Sequence, residues 1–132
     1  MKKLSVFLVD DSQINNMYME DMLSDMEQVE AVTVFSNPQE ALDEFDALHK
    51  ESGTFPDLVL LDIRMPELDG YEFLEELENM IEDTSRLPVV FMLTSSQHKS
   101  DLEAFERFPC AKEYLNKPLE METLQALLAR YF

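Results

Sequence analysis

Apolar residues along this chain follow two alternating rhythms. Short, β-rich apolar runs occupy 5–9, 32–35, 58–61, 89–93 and 113–115. The first, third and fourth are almost unbroken hydrophobics, the pattern of strands covered on both faces. The run at 32–35 is short, and the one at 113–115 rests more on its place in the alternation than on its own pattern. Between the runs, apolar residues recur at helical spacing. Met19, Met22, Leu23 and Met26 fall at i, i+3, i+4 and i+7. Ala41, Phe45 and Leu48 make a second stripe, Leu74, Leu77 and Ile81 a third, and Leu124, Leu127, Leu128 and Tyr131 the last. The methionines of the first stripe read as core filler, because a flexible thioether suits irregular gaps. The segment 99–108 is shorter and less periodic.

Start signals agree with these stripes. Asn37-Pro38 followed by Glu40 reads as an N-cap, a proline at the first helical position and a capping-box acid. Asp11-Ser12 stands between a strand and a helix. Pro56 marks the entry to the third strand. The pattern is βα repeated five times, which predicts an α/β fold with a parallel sheet and helices on both faces. No linker, repeat or low-complexity stretch interrupts it. The expectation is a single domain over 1–132, ending at the fifth helix.

Composition narrows the class. A chain of 132 residues with 45% hydrophobic and 29% charged residues can bury a core without staples. One cysteine, Cys110, permits no internal disulfide, fits a reducing compartment and reads as a small core residue. Lys2-Lys3 and the apolar residues after them resemble a secretion signal only faintly. The run stops at Asp10-Asp11, and no small-residue cleavage site follows. No stretch has the length of a transmembrane helix, so the expected location is the cytoplasm. The formal net charge of -18 repels phosphate backbones and anionic membranes. Nucleic-acid and membrane partners are therefore not expected. Glu75, Glu76, Glu78, Glu82 and Asp83 read as a solvated helix face. His49 and His98, near predicted helix ends, read as surface residues.

The candidate chemistry lies at the ends of the strands. In an open parallel sheet, ligands bind at the carboxyl edge. Asp10 and Asp11 follow the first run, Asp62 the third, Thr94 and Ser95 the fourth, and Lys117-Pro118 the fifth. Four of the five strands thus bring three carboxylates, hydroxyls and one ammonium to one edge. Asp11 and Asp62, with Asp10 and a backbone carbonyl near Arg64, would suit the hard oxygen shell of Mg²⁺. A carboxylate is also a nucleophile toward phosphorus. Phosphoryl transfer asks for positioning and charge neutralisation, which Mg²⁺, Lys117 and the Thr94 hydroxyl would supply. Each residue alone has a plainer reading. Asp10 and Asp11 can cap the first helix, and Asp62 can simply open a turn. Their order along one sheet edge is what argues for a site.

The motifs Val9-Asp10-Asp11-Ser12, Leu60-Leu61-Asp62-Ile63-Arg64-Met65-Pro66-Glu67-Leu68-Asp69-Gly70, Leu93-Thr94-Ser95 and Tyr114-Leu115-Asn116-Lys117-Pro118 resemble the receiver domain of two-component response regulators. The resemblance runs from about residue 3 to 132. It implies a flavodoxin-like (βα)5 fold with strand order 2-1-3-4-5. It further implies that Asp62 is the phosphoacceptor, that Asp10 and Asp11 are the acidic pair with Asp11 the direct Mg²⁺ ligand, and that the Arg64 carbonyl completes the protein ligands. By the same resemblance Thr94 and Lys117 hold the phosphoryl group, Lys117–Pro118 is cis, and Gly70 opens the third helix. Thr94 and Tyr114 would be the switch pair, remodelling the face made by the fourth helix, fifth strand and fifth helix. Taken alone, Tyr114 is an ordinary half-buried strand aromatic. By the same resemblance Arg64 and Ser96 occupy positions that flank the phosphoryl group, and they would tune its lifetime in opposite senses.

The implied partners are a histidine kinase or a histidine phosphotransfer protein, and a downstream protein of unknown identity. Met17, Tyr18 and the stretch 113–120 are the candidate docking surface. A homodimer through the fourth helix, fifth strand and fifth helix is a further expectation of the family. Ser12, Asn15 and Asn16 resemble receivers of hybrid kinases, whereas Met1 and the final helix favour a stand-alone receiver. The chain would be no enzyme beyond phosphorylation and dephosphorylation of its own Asp62. Two other classes stay in view. A phosphatase or phosphomutase with an aspartate nucleophile usually has a second Asp two residues on as general acid; here Arg64 stands there and cannot serve. A pseudo-receiver, a binding module not regulated by phosphorylation, usually lacks a site residue, and Asp11, Asp62, Thr94 and Lys117 are all present.

Overall fold

The computed structural model describes residues 3–51, 53–95 and 99–132. Ser96 and His98 lie outside the described residues. Five strands, β1 (Leu4–Val9), β2 (Val29–Phe35), β3 (Leu58–Asp62), β4 (Val89–Thr94) and β5 (Ala111–Asn116), alternate with five helices. These are α1 (Gln13–Ser24), α2 (Pro38–Lys50), α3 (Gly70–Met80), α4 (Lys99–Phe105) and α5 (Met121–Tyr131). All strand pairs are parallel, in the order β2-β1-β3-β4-β5. This is the flavodoxin-like (βα)5 fold, in the strand order that the motif resemblance implies.

Alternation along the central strands explains the two-layer cover. Leu4, Val6 and Leu8 of β1, Leu58 and Leu60 of β3, and Phe91 and Leu93 of β4 pack with Met19, Met22, Leu23 and Met26 on one face. Leu124, Leu127 and Leu128 of α5 join the same cluster. The intervening residues Phe7, Val9, Val59, Leu61, Val90 and Met92 pack with α2 and α3 on the other face. There Phe45 meets Phe7 and Phe73 edge-on at 5.3 and 6.3 Å between ring centres. The methionines of the first stripe are buried, and so is Cys110.

The boundaries moved where side chains are only half covered. The edge strand β2 begins at Val29, earlier than its apolar run suggests, because exposed Glu30 and Ala31 need no cover. A register shift between Leu4 and Ser5 accommodates Glu30. Edge strand β5 likewise includes Lys112 and ends at Asn116. Helix α4 stops at Phe105, and 106–108 continue as turns bonded Arg107 to Ala104 and Phe108 to Phe105. A short 3-10 turn over Thr84–Arg86, absent from the sequence reading, forms where Asp83 Oδ1 accepts from the Ser85 amide and hydroxyl. Among the described residues, no helix is long and apolar enough to cross a membrane.

Candidate functional site

Sheet register brings the site together. Val9 pairs with Leu61, so Asp10 and Asp62 leave adjacent strands side by side. Asp62 pairs with Leu93, one residue before Thr94, and Thr94 pairs with Asn116, one residue before Lys117. The Lys117 amide donates to the Thr94 carbonyl at 2.8 Å, and the Lys117–Pro118 peptide is cis. Asp10, Asp62 and Thr94 are buried, while Asp11 is exposed at the mouth.

Helix α1 is capped by Ser12, whose hydroxyl accepts from the Asn15 amide at 3.2 Å. That corrects the plainer reading of Asp10 and Asp11 as helix caps. Asp10 is held from three directions instead. Its Oδ1 accepts from the Ser12 amide at 2.8 Å, and its Oδ2 accepts from Asn15 Nδ2 at 2.6 Å and Lys117 Nζ at 2.7 Å. Asn16 Nδ2 donates to the Asp10 carbonyl at 2.8 Å. Sequence reasoning assigned neither asparagine a place in the site. The available signal was position: Asn15 stands three residues past the cap, where a side chain can reach back.

The loop after Asp62 is pinned at both ends. The Ile63 amide donates to the Leu93 carbonyl at 3.0 Å, and the Gly70 amide to the Ile63 carbonyl at 2.9 Å. A Cβ on Gly70 would lie 2.8 Å from the Asp62 carbonyl oxygen, so only glycine lets α3 approach this closely. Glu67 turns the loop at φ 71°, with the Leu68 amide bonded to the Pro66 carbonyl. Asp69 and Glu72 then form a full capping box on α3. Arg64 is exposed within this loop. Tyr114 is half-buried, its ring edge-on to Phe105 of α4 at 5.9 Å.

Electrostatics mark the cluster as short of positive charge. Lys117 Nζ lies 3.1 Å from Asp62 Oδ1 as well as 2.7 Å from Asp10. Burial still pushes the Asp62 carboxyl up from 3.8 to about 7, with the Asp10 charge acting the same way and Lys117 opposing. For Lys117, burial disfavours the ammonium, but Asp10 and Asp62 outweigh it and hold the group above its usual range. Carboxylate oxygens of Asp10, Asp11 and Asp62 come within 4.8 Å of one another. Three hard oxygen donors that close, with one ammonium against them, fit a small divalent cation such as Mg²⁺.

The chain matches the response regulator receiver domain family over residues 6–129. It is 32% identical over 119 residues to a protein-glutamate methylesterase/protein-glutamine glutaminase of Hydrogenovibrio crunogenus, covering 89% of this chain and 29% of that protein. An uncharacterized response regulatory protein of Vibrio cholerae is 32% identical over 127 residues, covering 96% of this chain and 48% of that protein. The chain therefore spans less than half the length of these curated relatives. Among solved structures, a response regulator receiver protein from Dyadobacter fermentans superposes with a TM-score of 0.82 at 32% identity, covering 97% of each chain. A two-component response regulator from Cytophaga hutchinsonii gives 0.87 at 24% identity over 98% of each chain, a likeness of fold.

Proposed function

The chain belongs to the response regulator receiver domain family, and from that membership we propose that it is a Mg²⁺-dependent phospho-switch whose acceptor is Asp62. The reading takes residues 1–132 as one receiver domain. The observation that carries it is the juxtaposition of buried Asp62 and Asp10 with half-buried Lys117, and with Asp11 at the mouth. Asp11, Asp62 and the Arg64 carbonyl would hold Mg²⁺, with Asp10 beside them. When bound, the cation neutralises charge on the phosphoryl oxygens.

Asp62 supplies the nucleophile. One carboxylate oxygen bonds to phosphorus as the phosphorus–nitrogen bond of a phosphohistidine breaks, and the electron pair returns to the imidazole. The donor is the phosphohistidine of a histidine kinase or a phosphotransfer protein. Lys117, already 3.1 Å from Asp62, exchanges a carboxylate for the phosphoryl group as its partner. Thr94 ends the neighbouring strand and offers a hydroxyl to the same group. Its movement makes room behind it, and Tyr114 turns inward from its place against Phe105. The α4-β5-α5 face changes shape and is read by a downstream protein or a second copy of the chain. The donor protein docks on α1 and the β5–α5 loop: Met17 is 67% exposed, and the Tyr18 hydroxyl ties the two segments by donating to the Leu119 carbonyl at 2.8 Å. No chemistry on a separate substrate is assigned to these residues, and the expected location is the cytoplasm.

Backbone NMR of wild type and Asp62→Asn, with Mg²⁺ and either acetyl phosphate or beryllofluoride, tests this. Shifts at Asp62, Thr94, Tyr114 and α5 in wild type, absent in Asp62→Asn, are expected. Wild type that binds Mg²⁺ but answers neither reagent would sink the phospho-switch and leave a phosphate-independent binding module.

A further inference from the structure

Helix α1 opens with a rerouted cap. In the usual capping box, the side chain at the third helical position accepts from the N-cap amide. Glu72 does this for Asp69 in α3. In α1 the Ser12 amide is already taken by Asp10 Oδ1 at 2.8 Å. Asn15, the third helical residue, donates its side chain to Asp10 Oδ2 at 2.6 Å instead. Lys117 Nζ occupies the same oxygen at 2.7 Å.

An ionised carboxylate has about two lone-pair directions on each oxygen. Asn15 and Lys117 therefore saturate Oδ2 of a carboxylate that is wholly buried. A cation that took this oxygen directly would have to displace one of them. Asp11, exposed at the mouth, is the freer member of the acidic pair.

We propose that Asn15 is a positioning residue of the cation site, holding the Asp10 carboxylate against Lys117 and keeping its Oδ2 out of the direct ligand set. The inference rests on the Mg²⁺ reading above. It assigns the hold on the first member of the acidic pair to a side chain in the first turn of α1. Without the Asn15 amide, one lone pair of Asp10 Oδ2 is released and the buried charge is less compensated, so the cation gains this oxygen as a ligand.

Asn15→Ala tests this cleanly. The cap survives, because it uses the Asn15 backbone amide, and alanine is the better helix former. Mg²⁺ titrations followed by the amide shifts of Asp11, Ile63 and Gly70 give dissociation constants for wild type, Asn15→Ala, Asp10→Asn and the double variant. Asn15→Ala is expected to bind Mg²⁺ about three- to tenfold more tightly, and the gain should vanish in the Asp10→Asn background. Unchanged or weaker binding by Asn15→Ala, or the same tightening without the Asp10 carboxylate, overturns the inference while leaving the Mg²⁺ site intact. Wild type that binds no Mg²⁺ would instead remove the proposed function, and this inference with it.

Discussion

A carboxyl group pushed from 3.8 to about 7 sits in surroundings that disfavour its charge, and at Asp62 the chief cause is burial, with Asp10 adding to it. The unfolded chain has no such shift. Between those two values the folded state holds a proton that the unfolded state has lost, so stability falls as pH rises through that window. Above it the full cost remains, unless a cation supplies the missing charge. Two outcomes are expected. In metal-free protein at pH 8, Asp62→Asn should raise the melting temperature by roughly 5 °C, and the gain should shrink toward pH 4. Thermal denaturation of both proteins across that range checks it; equal melting temperatures at pH 8 would mean Lys117 alone neutralises Asp62. For wild type, Mg²⁺ affinity should climb from pH 5 to pH 8, because the proton and the cation compete for one carboxylate. Calorimetric titration at the two ends would read this directly.

Among the elements, α3 and the loop before it set how rigidly Asp62 is presented. Gly70 presses the start of α3 against the Asp62 and Ile63 backbone, and Met92 Cε would also be only 3.0 Å from an added Cβ. Backbone oxygen cannot yield as a flexible side chain can. Gly70→Ala should therefore lose about 1–3 kcal/mol despite alanine's better helix propensity. Urea unfolding measures this, and an unchanged midpoint would show that α3 slides away without resistance. The same loop carries Glu67 in the left-handed region, a conformation held by the bonded Pro66–Leu68 turn and the Asp69 capping box. Closure around Asp62 thus comes from backbone bonds at each end of the segment 63–70 and from the turn and capping box between them.

At the scale of the whole molecule, the net charge of -18 works against compactness. Exposed pairs such as Lys50–Asp46, at 2.9 Å but largely solvated, recover little of that repulsion. Raising NaCl from about 20 mM to about 500 mM should raise the melting temperature of the metal-free protein, because self-repulsion is screened over a distance that shrinks with salt. A fall would mean that surface ion pairs outweigh the net field.

Strands, helices and the edge that holds the site followed from local pattern. Unbroken runs such as 58–61 and 89–93 need cover on both faces, and the residue after each run has to emerge at the sheet's carboxyl end. That is why Asp10, Asp62, Thr94 and Lys117 could be grouped before their contacts were seen. Edge elements were less legible: β2 and β5 tolerate Glu30 and Lys112 because one side faces solvent, and the short α4 has little periodicity to read. Hydrogen-bond partners were less legible, although the Asn37 cap of α2 was readable from the sequence. The Ser12 cap and the turn of Asn15 toward Asp10 are local contacts that compete with other local bonds, and the sharing of Lys117 between two carboxylates joins segments far apart in sequence. Residue type and order determine which groups can meet at the edge of a parallel sheet. Only the packed sheet decides which donor reaches which oxygen, because register and burial set both the distances and the cost of leaving a charge alone.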